Sequence, residues 1–270
     1  MHLAQTNVHV DHVVLDDLSK SIQQSMFSQS AAAFFAIYDG HRGSKASEYL
    51  SKNFHPEFFS QLATVCNPDG ILPALVKAFV ETDKKLLDKA QEGTWNDGST
   101  AAVMLLLNCT LFIANVGDAE VVVGRKEGSK IIPFVLTTRH NPSIPDEKER
   151  IEKAGGLVVK GRINNTLAIS RAFGDHDFKI IKTEDGITIG KLVSEEPSVT
   201  SHVLKPHRDL FAILGCDGLW ESLSHEKTVE IAGSALVDGA EEAAKRLSAA
   251  ALEAGSNDNV SAIVVQFQWD

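Results

Sequence analysis

Apolar and polar positions change period several times along this chain, and the changes mark out its elements. Residues 8–15 alternate apolar and polar side chains with the period of two expected of a half-buried strand. Residues 31–38 form a short apolar run that ends in Asp-Gly. Residues 101–107, 110–116 and 121–124 are rich in strand formers and are joined by turn residues such as Asn108 and Gly117-Asp118. Residues 131–136, 198–203, 210–216 and 260–267 complete the predicted strands. Helical periodicity is clearest over 71–90, where Leu72, Leu75, Val76, Phe79, Val80, Leu86 and Leu87 are apolar. Residues 44–53, 145–154, 224–232 and 240–254 are the other predicted helices. Pro145, Asp146 and Glu147 suit a first helical turn, and Gly155-Gly156 suits a helix end. Many strands with few β-α-β alternations predict antiparallel sheets with helices packed outside them. Two stacked sheets flanked by helix pairs use this inventory. No repeat, low-complexity tract or Pro/Gly/Ser linker interrupts it, so one domain over 1–270 is expected.

Composition narrows the classes. Apolar residues make up 43% and charged residues 23% of the 270, an ordinary globular mixture able to bury a sizeable core. No apolar run approaches the roughly 18 residues of a membrane span. The first residues lack a basic stretch followed by an apolar one, so neither a membrane nor a secretory route is expected. Cys66, Cys109 and Cys216 are too scattered for a zinc or disulfide framework, which fits a reducing compartment. Cys109 and Cys216 lie in apolar runs and read as free buried thiols. A net charge of −10 argues against nucleic acid as a partner. An acidic chain that handles phosphate must do so locally, and metal ions are one way to reverse the local sign.

One motif recurs: an apolar strand running into Asp and a small or polar turn. It occurs at Tyr38-Asp39-Gly40-His41, Val116-Gly117-Asp118 and Cys216-Asp217-Gly218, while Asn257-Asp258-Asn259 precedes the last strand. Each alone reads as a turn. Together they are acids on rigid supports that can converge at one rim. Hard divalent cations such as Mg²⁺ or Mn²⁺ favour such oxygens, and glycine beside a ligand lets backbone carbonyl approach the ion.

These residues resemble the metal-dependent type 2C Ser/Thr protein phosphatases. The matching stretches are Asp39-Gly40-His41-Arg42-Gly43, Asp97-Gly98-Ser99-Thr100-Ala101, Asn115-Val116-Gly117-Asp118, Leu167 through Asp175, Cys216-Asp217-Gly218-Leu219-Trp220 and Gly255 through Ser261. They keep the family's order from about residue 31 onward. The resemblance implies an α+β fold, a four-layer α-β-β-α sandwich of two antiparallel sheets flanked by helices. It implies hydrolysis of phosphoserine and phosphothreonine in phosphorylated proteins, by a monomer in the cytoplasm or nucleus. It also implies two Mg²⁺ or Mn²⁺ ions, with a weaker third. Asp39 would bridge the ions, the Gly40 carbonyl would bind one, and Asp217 and Asp258 the other; Asp118 would help hold the third. His41 would protonate the leaving oxygen, a role histidine commonly fills. Arg162 and Arg171 lie beside the substrate flap, Arg162 as a substrate contact and Arg171 as a structural ion pair.

The first motif departs from the pattern. The family has an Arg followed by Met-Glu-Asp on its first strand, whereas this chain reads Gln5-Thr6-Asn7-Val8-His9-Val10-Asp11-His12. Asp11 could replace the last acid if the strand slipped by one residue, a slip that reverses side-chain faces unless a bulge absorbs it. His9 and His12 are further candidate ligands, although imidazole suits softer metals than Mg²⁺. Ala119 and Glu221 stand where the family often has Ser and Asp. Losing a charge-assisted phosphate contact costs roughly 1.5–3 kcal/mol. Two readings therefore stand: a working phosphatase, and a weak or inactive phosphatase-like scaffold that binds partner proteins. An alternative start, with the missing motif in a longer protein, is a third.

Overall fold

A computed structural model describes residues 3–6, 10–18, 20–22, 25–27, 30–182 and 188–269. The chain opens with β1 (Leu3–Thr6), β2 (Val10–Leu15) and β3 (Ala32–His41), then α1 (Lys45–Leu62) and α2 (Ile71–Gly93). A continuous β series follows: β4 (Gly98–Ser99), β5 (Ala101–Leu107), β6 (Thr110–Val116), β7 (Glu120–Glu127) and β8 (Lys130–Val135). Short elements come next: α3 (Pro145–Lys153), β9 (Val158–Val159), β10 (Arg162–Ile163), β11 (Phe173–Gly174), α4 (His176–Lys179), β12 (Ile181–Lys182) and β13 (Thr188–Gly190). The last part comprises β14 (Ser198–Val203), β15 (Asp209–Gly215), α5 (Asp217–Trp220), α6 (His225–Ala235), α7 (Ala240–Glu253) and β16 (Val260–Gln266).

Two antiparallel sheets hold the principal strands. One runs β2-β3-β5-β6-β14, with β4 and β11 attached beside the end of β3; the other runs β1-β16-β15-β7-β8. Period-two alternation divides the side chains among three apolar layers. Phe34, Ala36 and Tyr38 of β3 pack with Leu50, Phe54, Phe58 and Phe79 of the first helix pair. Phe35 and Ile37 face the other way, toward Val121, Val123, Ala212 and Leu214 of the second sheet. Phe211, Ile213 and Val264 then face Val229, Ala232 and Leu247 of α6 and α7. The α+β arrangement of two antiparallel sheets with helices outside is the one the sequence pattern implies.

Boundaries differ informatively. Helix α1 continues past the predicted end at 53, through Pro56, to Leu62. Phe54 and Phe58 are four residues apart and fully buried, and their packing outweighs the hydrogen bond that proline removes. The strand β1, not anticipated from the pattern, pairs with β16. Cys216 is buried as expected, but Cys109 sits exposed in the β5–β6 turn, so its burial is corrected. Among the described residues no helix is long and apolar enough to cross a membrane.

Candidate metal centre

Four segments bring acids to one rim of the sandwich. Asp39 follows Phe35 and Ile37 on the inner face of β3, so the pleat that buries those two points it between the sheets. Asp118 lies in the Gly117-Asp118 turn, where the chain leaves one sheet (β6) for the other (β7). Asp217 begins α5 directly after β15, and Asp258 precedes β16. All four line one cleft of about 210 Å³ with Gly40, His41, Thr100, Arg162, Leu167, Ala168 and Ile169. The residues to which the resemblance gave a metal, catalytic or substrate role, Asp39, Gly40, His41, Asp118, Arg162, Asp217 and Asp258, therefore share this cleft.

Its electrostatics call for a cation. Burial, then the Asp217, Asp118 and Asp258 charges, push the Asp39 carboxyl well above the usual carboxylate range. Burial likewise raises Asp217, with Asp258 adding to it. Asp118 is pushed up to about 7, by burial first and then by Asp217, while Arg139 opposes the rise. Oδ1 of Asp217 is buried without a hydrogen-bond partner. A buried, unpartnered oxygen among crowded carboxylates fits a hard divalent ion. Sγ of Cys216 lies within 4.8 Å of oxygens of Asp39 and Asp217. It is already committed, donating to the Asn259 carbonyl at 3.0 Å and accepting from the Ser261 N–H at 3.2 Å. Burial, with Asp39 beside it, pushes this thiol up to about 12, so it stays protonated and pins the Asp258 loop instead of ligating.

The support behind the acids comes from residues to which sequence reading gave no role. The Ser256 hydroxyl donates to the Gly218 carbonyl at 2.9 Å. A Cβ on Gly218 would lie 2.2 Å from the Asn259 carbonyl oxygen, so only glycine lets the Asp217 and Asp258 segments close together. His140 holds the Asp118 turn: its ring Nδ1 accepts from the Gly117 N–H at 3.1 Å, and its backbone N–H donates to the Gly117 carbonyl at 2.9 Å. Burial and the Arg171 charge push His140 down to about 4, keeping the neutral ring that can accept at Nδ1. Asp97 caps α1, accepting from the Lys45 N–H at 2.9 Å. Asp175, quoted with its motif but given no task, is 2.7 Å from His41.

Of the flap arginines, Arg162 lines the cleft and donates through Nη1 to the Thr166 carbonyl at 2.8 Å. Arg171 makes two hydrogen bonds to Glu147, at 3.0 and 2.6 Å, in the structural role expected of it.

The first strand settles one question about the missing acids. Val10 pairs with Asp39, Asp11 with Tyr38 and His12 with Ile37. Paired residues share a face, so the position beside Asp39 belongs to Val10, 1% exposed in the inter-sheet core. Asp11 is on the opposite face, and the slip that would bring it inward has not occurred. His12 shares the Val10 face but does not line the cleft; burial lowers its pKa, and its Nδ1 has no partner. Gln5 lies in β1, and His9 lies outside the described residues.

The sequence matches the family model described as Protein phosphatase 2C over residues 1–260. The chain belongs to the protein phosphatase 2C family. It is 33% identical to the integrin-linked kinase-associated serine/threonine phosphatase 2C of Bos taurus, over 94% of this chain and 72% of that one. Its fold matches a serine-threonine phosphatase 2C from Toxoplasma gondii with a TM-score of 0.74 at 21% identity, covering 99% of both chains. A C. elegans sex determining protein matches at a TM-score of 0.77 and 22% identity, over 98% of this chain and 66% of that one. As a type 2C family member the chain has the Ser/Thr phosphatase fold.

Proposed function

We propose that this chain is a metal-dependent protein phosphatase acting on phosphoserine and phosphothreonine. The observation that carries the reading is the convergence of Asp39, Asp118, Asp217 and Asp258 with His41 and Arg162 in one cleft. Asp39, Asp217, Asp258 and the Gly40 carbonyl would hold two Mg²⁺ or Mn²⁺ ions. Asp118, with the Glu221 charge near it, would hold a weaker third. When bound, such ions neutralise phosphoryl charge and supply an activated water. The protein's own part is to place the ester: Arg162 offers a guanidinium at the mouth, and His41 gives a proton to the leaving Ser or Thr oxygen. The chain is taken as one functional unit over 1–270, a monomer working on phosphorylated proteins in the cytoplasm or nucleus.

One observation favours a second reading, a weak or inactive scaffold that binds partners. Apolar Val10 stands beside Asp39 where an acid would order water around an ion. Loss of such outer support costs roughly 10–100-fold in metal affinity or activity. Phosphate release from a phosphothreonine peptide, with Mn²⁺ and with chelator, separates the two. The phosphatase reading predicts Mn²⁺-dependent turnover that Asp217→Asn lowers by about 100-fold or more, some 2.7 kcal/mol of barrier. Turnover indifferent to that substitution contradicts it, and Mn²⁺ binding without turnover supports the scaffold.

A further inference from the structure

Behind His41 lies a carboxylate that the metal centre does not use. Asp175 Oδ2 is 2.7 Å from His41 Nε2, and the Asp175 side chain is fully buried. Its backbone takes the left-handed conformation, φ 52°, unusual for a residue with a Cβ. The surroundings hold it there. The Asp175 N–H donates to the Asp97 carbonyl at 3.1 Å. The Gly98 backbone passes so near that a Cβ on it would lie 2.2 Å from His41 Nε2 and 2.3 Å from Asp175 Oδ2. Arg42 flanks the other oxygen: its Nη1 is 3.5 Å from Asp175 Oδ1, while its guanidinium makes two bonds to Asp177, at 2.7 and 2.8 Å.

We propose that Asp175 is a positioning residue that fixes the His41 ring. It accepts from Nε2–H, so Nδ1 is the nitrogen left to serve the cleft that His41 lines. The proposal rests on the reading of His41 as general acid. In that step the phosphorus–oxygen ester bond breaks and its electron pair stays on the Ser or Thr oxygen. That oxygen takes the Nδ1 proton. Water adds its oxygen to phosphorus, its proton goes to solvent, and the ring recovers a proton from solvent. A carboxylate behind the imidazole is a recurrent way of fixing orientation and tautomer.

The choice of leaving group provides the test. An alkoxide leaves poorly without a proton, whereas p-nitrophenolate leaves readily. The ratio of kcat on a phosphothreonine peptide to kcat on p-nitrophenyl phosphate is measured for wild type, His41→Ala, Asp175→Asn and Gly98→Ala. General acid catalysis contributes roughly 10²–10⁴-fold, so the ratio should fall by about 100-fold or more in His41→Ala. It should fall in the same direction, by about tenfold or more, in Asp175→Asn and in Gly98→Ala, which keeps both partners but wedges them apart. A merely structural Asp175 would slow both esters equally. A ratio that drops in His41→Ala but stays at the wild-type value in Asp175→Asn overturns the inference alone. A ratio unmoved in His41→Ala, or a wild type that turns over neither ester, overturns the general-acid reading and the inference with it. Imidazole ¹⁵N spectra of the metal-free protein check the contact without turnover: protonated Nε2 is expected for His41, and a bare Nε2 opposite Asp175 contradicts it.

Discussion

At the scale of single residues, burial disfavours the charged forms of Asp39, Asp118 and Asp217 in the absence of a cation. Burial and its neighbours push Asp118 up to about 7, so between the unfolded carboxylate range and pH 7 the folded state holds the extra proton. Its contribution to stability is therefore lost as pH rises through that window. Asp118→Asn should raise the Tm of the metal-free protein at pH 8, by about 2 °C or more, and the gain should shrink toward pH 5. Thermal unfolding at the two pH values checks this; an equal gain at both, or a loss at pH 8, contradicts it. The acids of the cleft were legible because each sits at or beside the end of an apolar strand. Their supports were not. His140, Cys216 and Asp175 act through contacts spanning 23, 43 and 134 residues of chain, which no local pattern displays.

At the scale of elements, register decides which acids reach the rim. Strand β2 puts Val10 beside Asp39 and turns Asp11 away. Asp11→Asn should accordingly leave Mn²⁺ affinity at the wild-type value. Val10→Asp should raise it, by roughly 10–100-fold if it restores outer-shell support. Calorimetric titration of the three proteins tests both; an ion lost on changing Asp11 would mean the strand pairs one residue out of this register. Helix α1 shows the limit of a local reading in another way. Pro56 is a sound reason to end a helix, but Phe54 on the preceding turn contacts Phe34, Tyr38, Phe79 and Phe173, from strands and a helix distant in sequence. Phe54→Ala should cost about 3–5 kcal/mol in chemical denaturation, as expected of a buried aromatic, and a cost below 1 kcal/mol would show that the cluster does not hold α1 to its sheet. The strands at 101–107 and 110–116 match their predicted bounds because packing on both faces of the sheet gives them clear runs of strand formers between turn residues, and 198–203 matches as an edge strand that alternates half-buried and exposed positions.

At the scale of the molecule, the two sheets explain why acids 219 residues apart, Asp39 and Asp258, can share a cleft. Antiparallel strands return to the same rim, so β3, β6, β15 and β16 each present an end or a beginning there. The inner faces are mainly apolar and fix that rim; Asp39 stands near the end of β3, and Asp118, Asp217 and Asp258 lie just outside their strands. The chain's net charge of −10 is thus compatible with phosphate chemistry, provided cations occupy the cleft. Crystals soaked in Mn²⁺ and measured for anomalous scattering test this most directly. The structure predicts a strong peak within about 2.0–2.6 Å of carboxylate oxygens of Asp39, Asp217 and Asp258. A cleft without anomalous density at saturating Mn²⁺, or density only at sites away from these three aspartates, would contradict it.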